Sequence, residues 1–344
     1  MTIQDFIDIR TKRRLLQQIF WECTLRCNLN CLHCGSDCRK EDMPADMPFE
    51  NFARVLDEVA KQKEPSKILI ITTGGEPLIR KDIVDCGREI KRRGFKWGMV
   101  SNGMLLTKDK LDELIDAGLN TIAISLDGFE DDHNWMRGNK HSFHHAINAI
   151  DNLAKSNITW DVITCVNQRN YNSVPELMDF LISHGVKHWR IFTVFPAGRA
   201  KDNDELQLTP DQFRTLMEFI KIVRKTQPIQ LSYSCEGFVG AYEGKVRDHL
   251  YQCAAGVTTA SILIDGSISA CTSIRGKYYQ GNIYKDDFWT VWENGFKPYR
   301  DRSWMKKEAP CKDCKAFRYC EGNGMHLRRE DGSLMLCHLS LLKE

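Results

Sequence analysis

The sequence predicts an α/β protein: a partial (β/α)6 barrel followed by a cysteine-rich, mostly irregular C-terminal domain that contains a β-hairpin. Two observations lead to this prediction. Six apolar, β-rich stretches alternate with helical patterns between residues 18 and 226, and such alternation indicates parallel strands joined by right-handed helical crossovers. Beyond residue 227 the alternation stops and cysteines become frequent. Six units are fewer than the eight of a closed barrel, so an open barrel is expected.

The predicted strands are runs of apolar and β-branched residues, and the predicted helices carry apolar residues at helical spacing. The strands cover residues 18–24, 67–73, 97–101, 120–126, 158–164 and 188–194. The helices cover residues 49–59, 81–93, 107–117, 142–156, 174–184 and 210–226. In parallel α/β folds the loops at the carboxyl ends of the strands carry the working residues, so we expect the site at that end.

Three regions are expected: an N-terminal segment (1–17), the barrel (18–226) and the C-terminal domain (227–344). The first is too short to form a separate peptide-binding domain. In the third, SILIDGSISAC at 261–271 predicts a hairpin that turns at Asp265-Gly266. The tail that follows a tryptophan-rich helix at 288–296 is too irregular to build an apolar core. Bound metal would therefore have to stabilise it.

Charge and hydropathy exclude several classes of function. The chain has 48 basic and 46 acidic residues and a net charge of +2, which gives no electrostatic reason to expect nucleic acid binding. No apolar run approaches the roughly 18 residues that span a bilayer, so no membrane span is expected. The first 20 residues lack the apolar core of a signal peptide. The cytoplasm is therefore the predicted compartment.

The chain has 14 cysteines, and in a reducing compartment clustered cysteines more often bind metal than form disulfides. Cys27, Cys31 and Cys34 directly follow the first predicted strand. A zinc site, a disulfide knot and an iron–sulfur cluster are the alternatives. Three thiolates are one ligand too few for a closed structural zinc site. Bound to a four-iron cluster, they would leave one iron free to bind a small molecule.

A further motif accompanies these cysteines. The C-x3-C-x2-C spacing after the first strand, with TTGGEP (72–77) after the second, resembles the radical S-adenosylmethionine (SAM) enzymes, and the resemblance covers nearly the whole chain. It implies that Cys27, Cys31 and Cys34 bind a catalytic [4Fe-4S] cluster whose fourth iron chelates SAM. Such a low-potential cluster passes one electron to the sulfonium, and the resulting 5′-deoxyadenosyl radical removes hydrogen from an inert C–H bond.

The resemblance also implies residues that bind SAM. They lie in TTGGEP, SNG (101–103), SLDG (125–128) and HNWMRG (133–138), and are Gly74, Gly75, Glu76, Pro77, Asn102, Ser125, Asp127 and Arg137. Glu76 and the glycines would reach the methionine ammonium group, and Ser125 and Arg137 the carboxylate or the ribose. Each has an alternative interpretation. The GGEP segment is also typical of a turn, Ser125 and Asp127 of helix caps, and Arg137 of a surface ion pair.

The tail resembles the SPASM extension, which holds auxiliary four-iron clusters. The resemblance implies a distal cluster bound by Cys311, Cys314, Cys320 and Cys337. A proximal cluster would use Cys253, Cys271 and two further cysteines, but this chain has Arg247 and Gly324 at those two positions.

Three outcomes stay open for the proximal pair. The two cysteines only pack, or an unusual ligand such as Cys235 or His326 completes a cluster, or a single auxiliary cluster draws on both groups. A zinc ribbon is the alternative for the whole tail.

The resemblance implies a peptide- or protein-maturing radical enzyme that receives electrons from a donor such as flavodoxin or ferredoxin. Two alternatives remain. One is radical modification of a small molecule such as a sugar, a tetrapyrrole or an aminoglycoside. The other is a zinc-stapled binding module without catalysis. No general base is identified from the sequence.

Overall fold

The computed structural model describes residues 15–234, 236–307 and 309–343. Most of the predicted N-terminal segment therefore lies outside the described residues. The ten strands form one sheet in the order β10-β9-β8-β1-β2-β3-β4-β5-β6-β7. They are β1 (Gln18–Thr24), β2 (Leu69–Gly74), β3 (Lys96–Ser101), β4 (Leu119–Ser125), β5 (Thr159–Val166), β6 (His188–Thr193), β7 (Gln230–Tyr233), β8 (Thr259–Ile262), β9 (Ser267–Ser269) and β10 (Gly281–Asn282).

A helix follows each of β1 to β6 as predicted, one further helix after β4 was not predicted, and the last four described helices lie in the tail. The described helices are α1 (Phe49–Ala60), α2 (Ile83–Arg92), α3 (Lys108–Asp116), α4 (Glu130–Arg137), α5 (Ser142–Ala154), α6 (Val174–Ser183), α7 (Pro210–Thr226), α8 (Phe288–Asn294), α9 (Lys297–Arg300), α10 (Phe317–Cys320) and α11 (His338–Leu341). Thr107 caps α3, and Thr209 caps α7 through a reciprocal capping box with Gln212. No described helix meets the length and hydropathy needed to cross a membrane.

The predicted fold class is confirmed: β1 to β7 are parallel neighbours, and β8 and β9 form the expected hairpin. Two features differ from the prediction. A seventh parallel strand, β7, pairs with β6 just beyond the expected boundary at 226, and its four residues are too few for a periodic signal. The hairpin also joins the barrel sheet, because β8 pairs in parallel with β1. The boundary itself stays a prediction.

The two faces of the barrel strands differ in burial. Residues under the helices are fully buried, and Trp21 of β1 stacks on Phe52 of α1 with ring centroids 4.6 Å apart. On the other face Phe20, Ser125 and Cys165 are partly exposed, whereas Glu22 of β1 is buried. Side chains alternate across a strand, so the partly exposed set lines an open chamber inside the sheet.

Arg275, which follows the hairpin, fastens the tail to the barrel. Its guanidinium donates to both carboxylate oxygens of buried Glu22 on β1, and its Nη2 donates to Ser36 Oγ at 2.8 Å. Ile264 N donates to Glu22 Oε2 at 3.1 Å. Arg275 thereby joins the tail, β1 and the loop after β1 at the mouth of the chamber.

Candidate active site and metal centres

The loop after β1, residues 25–39 and here called the cluster loop, carries the three motif cysteines, Cys27, Cys31 and Cys34, and also Cys38. Cys27 N donates to Arg39 O at 2.8 Å, and this bond closes the base of the loop. Leu32 N donates to Met136 O at 2.9 Å, near the end of α4. Arg199 Nε donates to Cys31 O at 2.7 Å. The loop is thus fixed to the barrel at several points.

Each of the three thiols has a hydrogen-bond donor beside it. The pairs are Asn102 Nδ2 and Cys27 Sγ at 3.9 Å, Arg137 Nη1 and Cys31 Sγ at 3.7 Å, and Cys38 N and Cys34 Sγ at 3.4 Å. Cys27 and Cys31 are buried, and Cys34 is partly exposed. Hydrogen bonds to ligand sulfurs and solvent exposure both help to set a cluster's reduction potential. The site therefore has the donors that tune an iron–sulfur cluster.

The spacing of the thiols argues against a single metal ion. Among the described residues, only His33, Asp127 and Cys165 bring three potential ligand atoms within 4.8 Å of one another. A tetrahedral zinc ion about 2.3 Å from each sulfur holds its thiolates about 3.8 Å apart. No three described cysteines of the cluster loop or of the tail meet that condition.

Gly74 and Gly75 let the end of β2 approach the start of the cluster loop. A Cβ on Gly74, whose φ is +126°, would lie 2.1 Å from Thr24 O, and one on Gly75 would lie 2.0 Å from Arg26 O. Because neither residue has a Cβ, the two backbones come close enough for Gly75 N to donate to Thr24 O at 2.7 Å. Only glycine permits so close an approach of two backbones. The GGEP segment is therefore more than a turn, because it fixes the cluster loop against β2.

Glu76 is buried beside this contact. Its carboxylate accepts from Leu78 N at 3.1 Å, Ser101 Oγ at 3.0 Å and Asn102 N at 2.8 Å. Burial raises the pKa of Glu76 to about 7, although these donors favour the ionised form. Pro77 begins the short 3₁₀ turn Pro77–Ile79 that follows. A cationic group arriving here would favour the ionised carboxylate.

Asp127 and Arg137 form a buried ion pair with Asp127 Oδ2 and Arg137 Nε 2.6 Å apart. Asp127 Oδ1 also accepts from Cys165 N at 2.9 Å. Burial opposes ionisation of Asp127, but its cationic neighbours, Arg137 first, hold its pKa below the usual value. Arg137 is 7% exposed, so its ion pair with Asp127 is buried and does not lie at the surface, as the alternative interpretation would require. Ser125 ends β4 on the chamber side and is partly exposed.

The four distal cysteines of the tail surround one cavity of about 200 Å³, and they are Cys311, Cys314, Cys320 and Cys337. Arg328 Nη2 lies 3.1 Å from Cys311 Sγ. Four soft thiolates around one space suit a closed iron–sulfur cluster. The structure therefore brings together the complete ligand set that the resemblance implied.

The proximal position lacks such a set. Cys253 is buried and Cys271 is half-buried. Arg247, in place of one cysteine, is 1% exposed and lies between the rings of Tyr233 and Tyr251, at 5.2 and 5.3 Å from their centroids.

At the other position, a Cβ on Gly324 would lie 2.6 Å from Cε1 of His326. An imidazole and a buried guanidinium thus fill the two places, and a closed four-thiolate proximal cluster does not fit. The possible ligand Cys235 lies outside the described residues.

Three residues of the site were missed in the sequence. Cys38 is not part of the C-x3-C-x2-C motif, yet it lies in the cluster loop beside Cys34. The short Cys-x3-Cys interval was the only signal for it. The pairing of Glu22 with Arg275 spans 253 positions, and no local pattern could have predicted it.

Comparisons with known proteins agree with this geometry. The family model of the radical SAM superfamily matches residues 21–181, and that of the SPASM iron-sulfur cluster-binding domain matches residues 253–315. The AdoMet-dependent heme synthase of Methanosarcina barkeri is 26% identical over 88% of this chain and 90% of its own length. The mycofactocin maturase MftC of Mycolicibacterium smegmatis is 28% identical over 89% of this chain and 77% of its own length.

A solved structure of Streptococcus suis SuiB bound to S-adenosylmethionine has a TM-score of 0.71 at 18% identity and covers 91% of this chain and 74% of SuiB. At that identity the likeness supports the fold alone. Together with the two family models, it leads to one conclusion: the chain belongs to the radical SAM superfamily, as an enzyme that binds SAM and a [4Fe-4S] cluster and carries a SPASM domain for auxiliary iron–sulfur binding.

Proposed function

We propose that this enzyme oxidises a side chain of a peptide or small protein after hydrogen-atom abstraction. One observation carries the proposal: a loop with the three motif thiols and a cavity lined by four thiols occur in one molecule. When bound, the catalytic cluster and SAM supply the 5′-deoxyadenosyl radical. Residues of the barrel would position SAM and the substrate next to the cluster.

The chain's own residues divide the binding of SAM among them. The carboxylate of Glu76 would pair with the methionine ammonium group, and Arg137 would face the carboxylate, for which a guanidinium is well suited. Asp127 would act through Arg137 by holding its orientation with the 2.6 Å ion pair. Asn102 and Ser125 lie at the ends of their strands, where the remaining polar groups of SAM would contact them. Gly74, Gly75 and Pro77 would position the backbone of the GGEP segment beside SAM.

The distal cysteines would serve the oxidative half of the reaction. A substrate radical left by hydrogen-atom abstraction must lose one electron and one proton to close a new bond or a double bond. Cys311, Cys314, Cys320 and Cys337 would hold the group that receives that electron. The proximal cysteines, Cys253 and Cys271, would pack without a cluster, because Arg247 and His326 fill the two remaining places.

Two relatives support a peptide substrate. MftC is named a maturase, and SuiB has also been solved bound to its precursor peptide SuiA. A tetrapyrrole is the second candidate, because the name heme synthase belongs to a relative that aligns with 88% of this chain. We further propose a flavodoxin or ferredoxin as reductant and the cytoplasm as compartment.

Anaerobic reconstitution tests the proposal. With dithionite and SAM, the brown holoenzyme should form 5′-deoxyadenosine, and deuterium from a labelled peptide encoded beside the enzyme's gene should appear in it. Transfer from iron coproporphyrin and not from the peptide would favour the tetrapyrrole. A colourless protein that binds zinc and forms no 5′-deoxyadenosine would contradict both enzymatic functions.

A further inference from the structure

Glu236 follows β7 closely in the chain and is 4% exposed. Its Oε2 accepts hydrogen bonds from Thr193 N at 2.8 Å, from the Tyr233 hydroxyl at 3.0 Å and from Thr193 Oγ1. Three neutral donors directed at one oxygen stabilise a negative charge and hold the carboxylate in one orientation. The ends of β6 and β7 thus fix an anionic group in place.

The other carboxylate oxygen of Glu236 borders open space. Oε1 accepts no hydrogen bond from a described residue, yet it is not enclosed by protein atoms. Within the described ranges no lysine or arginine forms an ion pair with Glu236, and His338 Nε2 lies 3.8 Å from Oε2 without a hydrogen bond to a described residue. A buried charge is costly unless it has a partner. The arrangement therefore suits a cation that a ligand brings to Oε1.

Glu236 belongs to the same chamber as the proposed SAM site. Thr193 of β6 pairs with Val166 of β5, the neighbour of Cys165, and Cys165 N donates to Asp127 Oδ1 at 2.9 Å. Burial and the carboxylates of Asp127 and Glu236 raise the pKa of the Cys165 thiol. Since Cys165 lies within electrostatic reach of both carboxylates, a substrate group held at Glu236 would share the chamber with SAM.

We propose that Glu236 is the anionic subsite of the substrate chamber and binds the ammonium or guanidinium group of a lysine or arginine side chain in the peptide. This inference rests on the proposed function and deepens it by naming the kind of side chain that the chamber selects. A cation at Oε1 would form a charge-assisted hydrogen bond with an oxygen that is already oriented. The same carboxylate would repel the propionate groups of a tetrapyrrole, so the two candidate substrates make opposite demands on this position.

The test compares three small probes that bind to the iron-loaded enzyme, measured by anaerobic ligand-observed NMR titration. They are the N-acetyl methylamides of lysine, arginine and norleucine, and norleucine has an alkyl side chain like that of lysine but no charge. Excess SAM without reductant keeps Glu76 occupied and is not cleaved. The wild type should bind at least one cationic probe about fivefold or more tightly than the norleucine probe. The tighter of the two cationic probes distinguishes a lysine from an arginine subsite.

E236Q should reduce this preference to within about twofold, because glutamine keeps an oxygen for the same donors but carries no charge. The matched control is E243Q. Glu243 also follows β7 and its side chain is 6% exposed, but its carboxylate accepts from Val239 N and Tyr251 N and lies 3.7 Å from Arg247 Nε. E243Q removes the same charge and should keep the full preference.

Iron content and melting temperature show whether each variant is folded. If E236Q loads less iron than the wild type, E236D replaces it, and its shorter side chain should lower the preference at least about twofold. Equal binding of the charged and uncharged probes by the wild type would overturn the inference without any variant. So would an unchanged preference in the folded Glu236 variant, or an equal loss of preference in E243Q. Probe binding needs no turnover, so its result is separate from failure to form 5′-deoxyadenosine.

Discussion

The cluster loop and the distal pocket both gather cysteines, but they differ in the number of thiols and in their surroundings. The loop offers the three motif thiols of Cys27, Cys31 and Cys34, with the buried Cys38 beside Cys34, and polar groups of the barrel such as Asn102 and Arg137 flank them. The distal pocket offers four thiols around one cavity, with Arg328 beside Cys311. Three ligands leave a four-iron cluster open to a substrate, whereas four close it. In the proposed function, this difference would divide radical generation at the loop from electron handling in the tail.

The largest expected effect separates these two roles. Cys27→Ala/Cys31→Ala/Cys34→Ala should abolish formation of 5′-deoxyadenosine and remove about four of about eight iron atoms. Cys311→Ala/Cys314→Ala should also remove about four iron atoms but should still form 5′-deoxyadenosine without oxidised product. Chromatography of the nucleoside and an iron assay on the same samples measure both quantities. Loss of 5′-deoxyadenosine in a folded distal variant would contradict the separation.

A second, smaller effect sharpens the comparison within the tail. Cys253→Ala/Cys271→Ala should leave the iron content at about eight atoms, because the proximal position lacks two of its thiols. A fall toward four, or a wild-type content near twelve, would show that the proximal pair binds iron. Cys311→Ala/Cys314→Ala is the matched control, since it removes the same number of thiols from the complete site.

The smallest effect concerns Glu76. Its pKa rises on folding from 4.5 to about 7 because the carboxyl group is buried. Between these values the folded protein binds more protons than the unfolded chain, so stability falls as pH rises through this window. The melting temperature of SAM-free protein should drop by about 1–3 °C between about pH 5 and about pH 8. Glu76→Gln should flatten this slope, and an unchanged slope would assign it to other groups.

Local patterns predicted most of the barrel and the metal motifs. Cys27, Cys31 and Cys34 are close in sequence, so their spacing alone predicts that they meet in space. The alternation of β-rich and helical patterns is also local in the sequence, so it predicted β1 to β6. Features that depend on distant residues were not predictable: Glu22 meets Arg275 across 253 positions. His326 was named from the sequence as a possible ligand, but its close packing against Gly324 could not be predicted, because no sequence pattern shows which side chain fills a vacant position.

The parallel pairing of β8 with β1 has a consequence for dissection of the molecule. Strand β1 has β2 on one side and β8 on the other, so neither flank is bare. Truncation before the hairpin would uncover Gln18–Trp21, the part of β1 that pairs with β8. Open edges of this kind invite intermolecular pairing. The barrel is therefore not a free-standing module, and expression of it alone should yield aggregates.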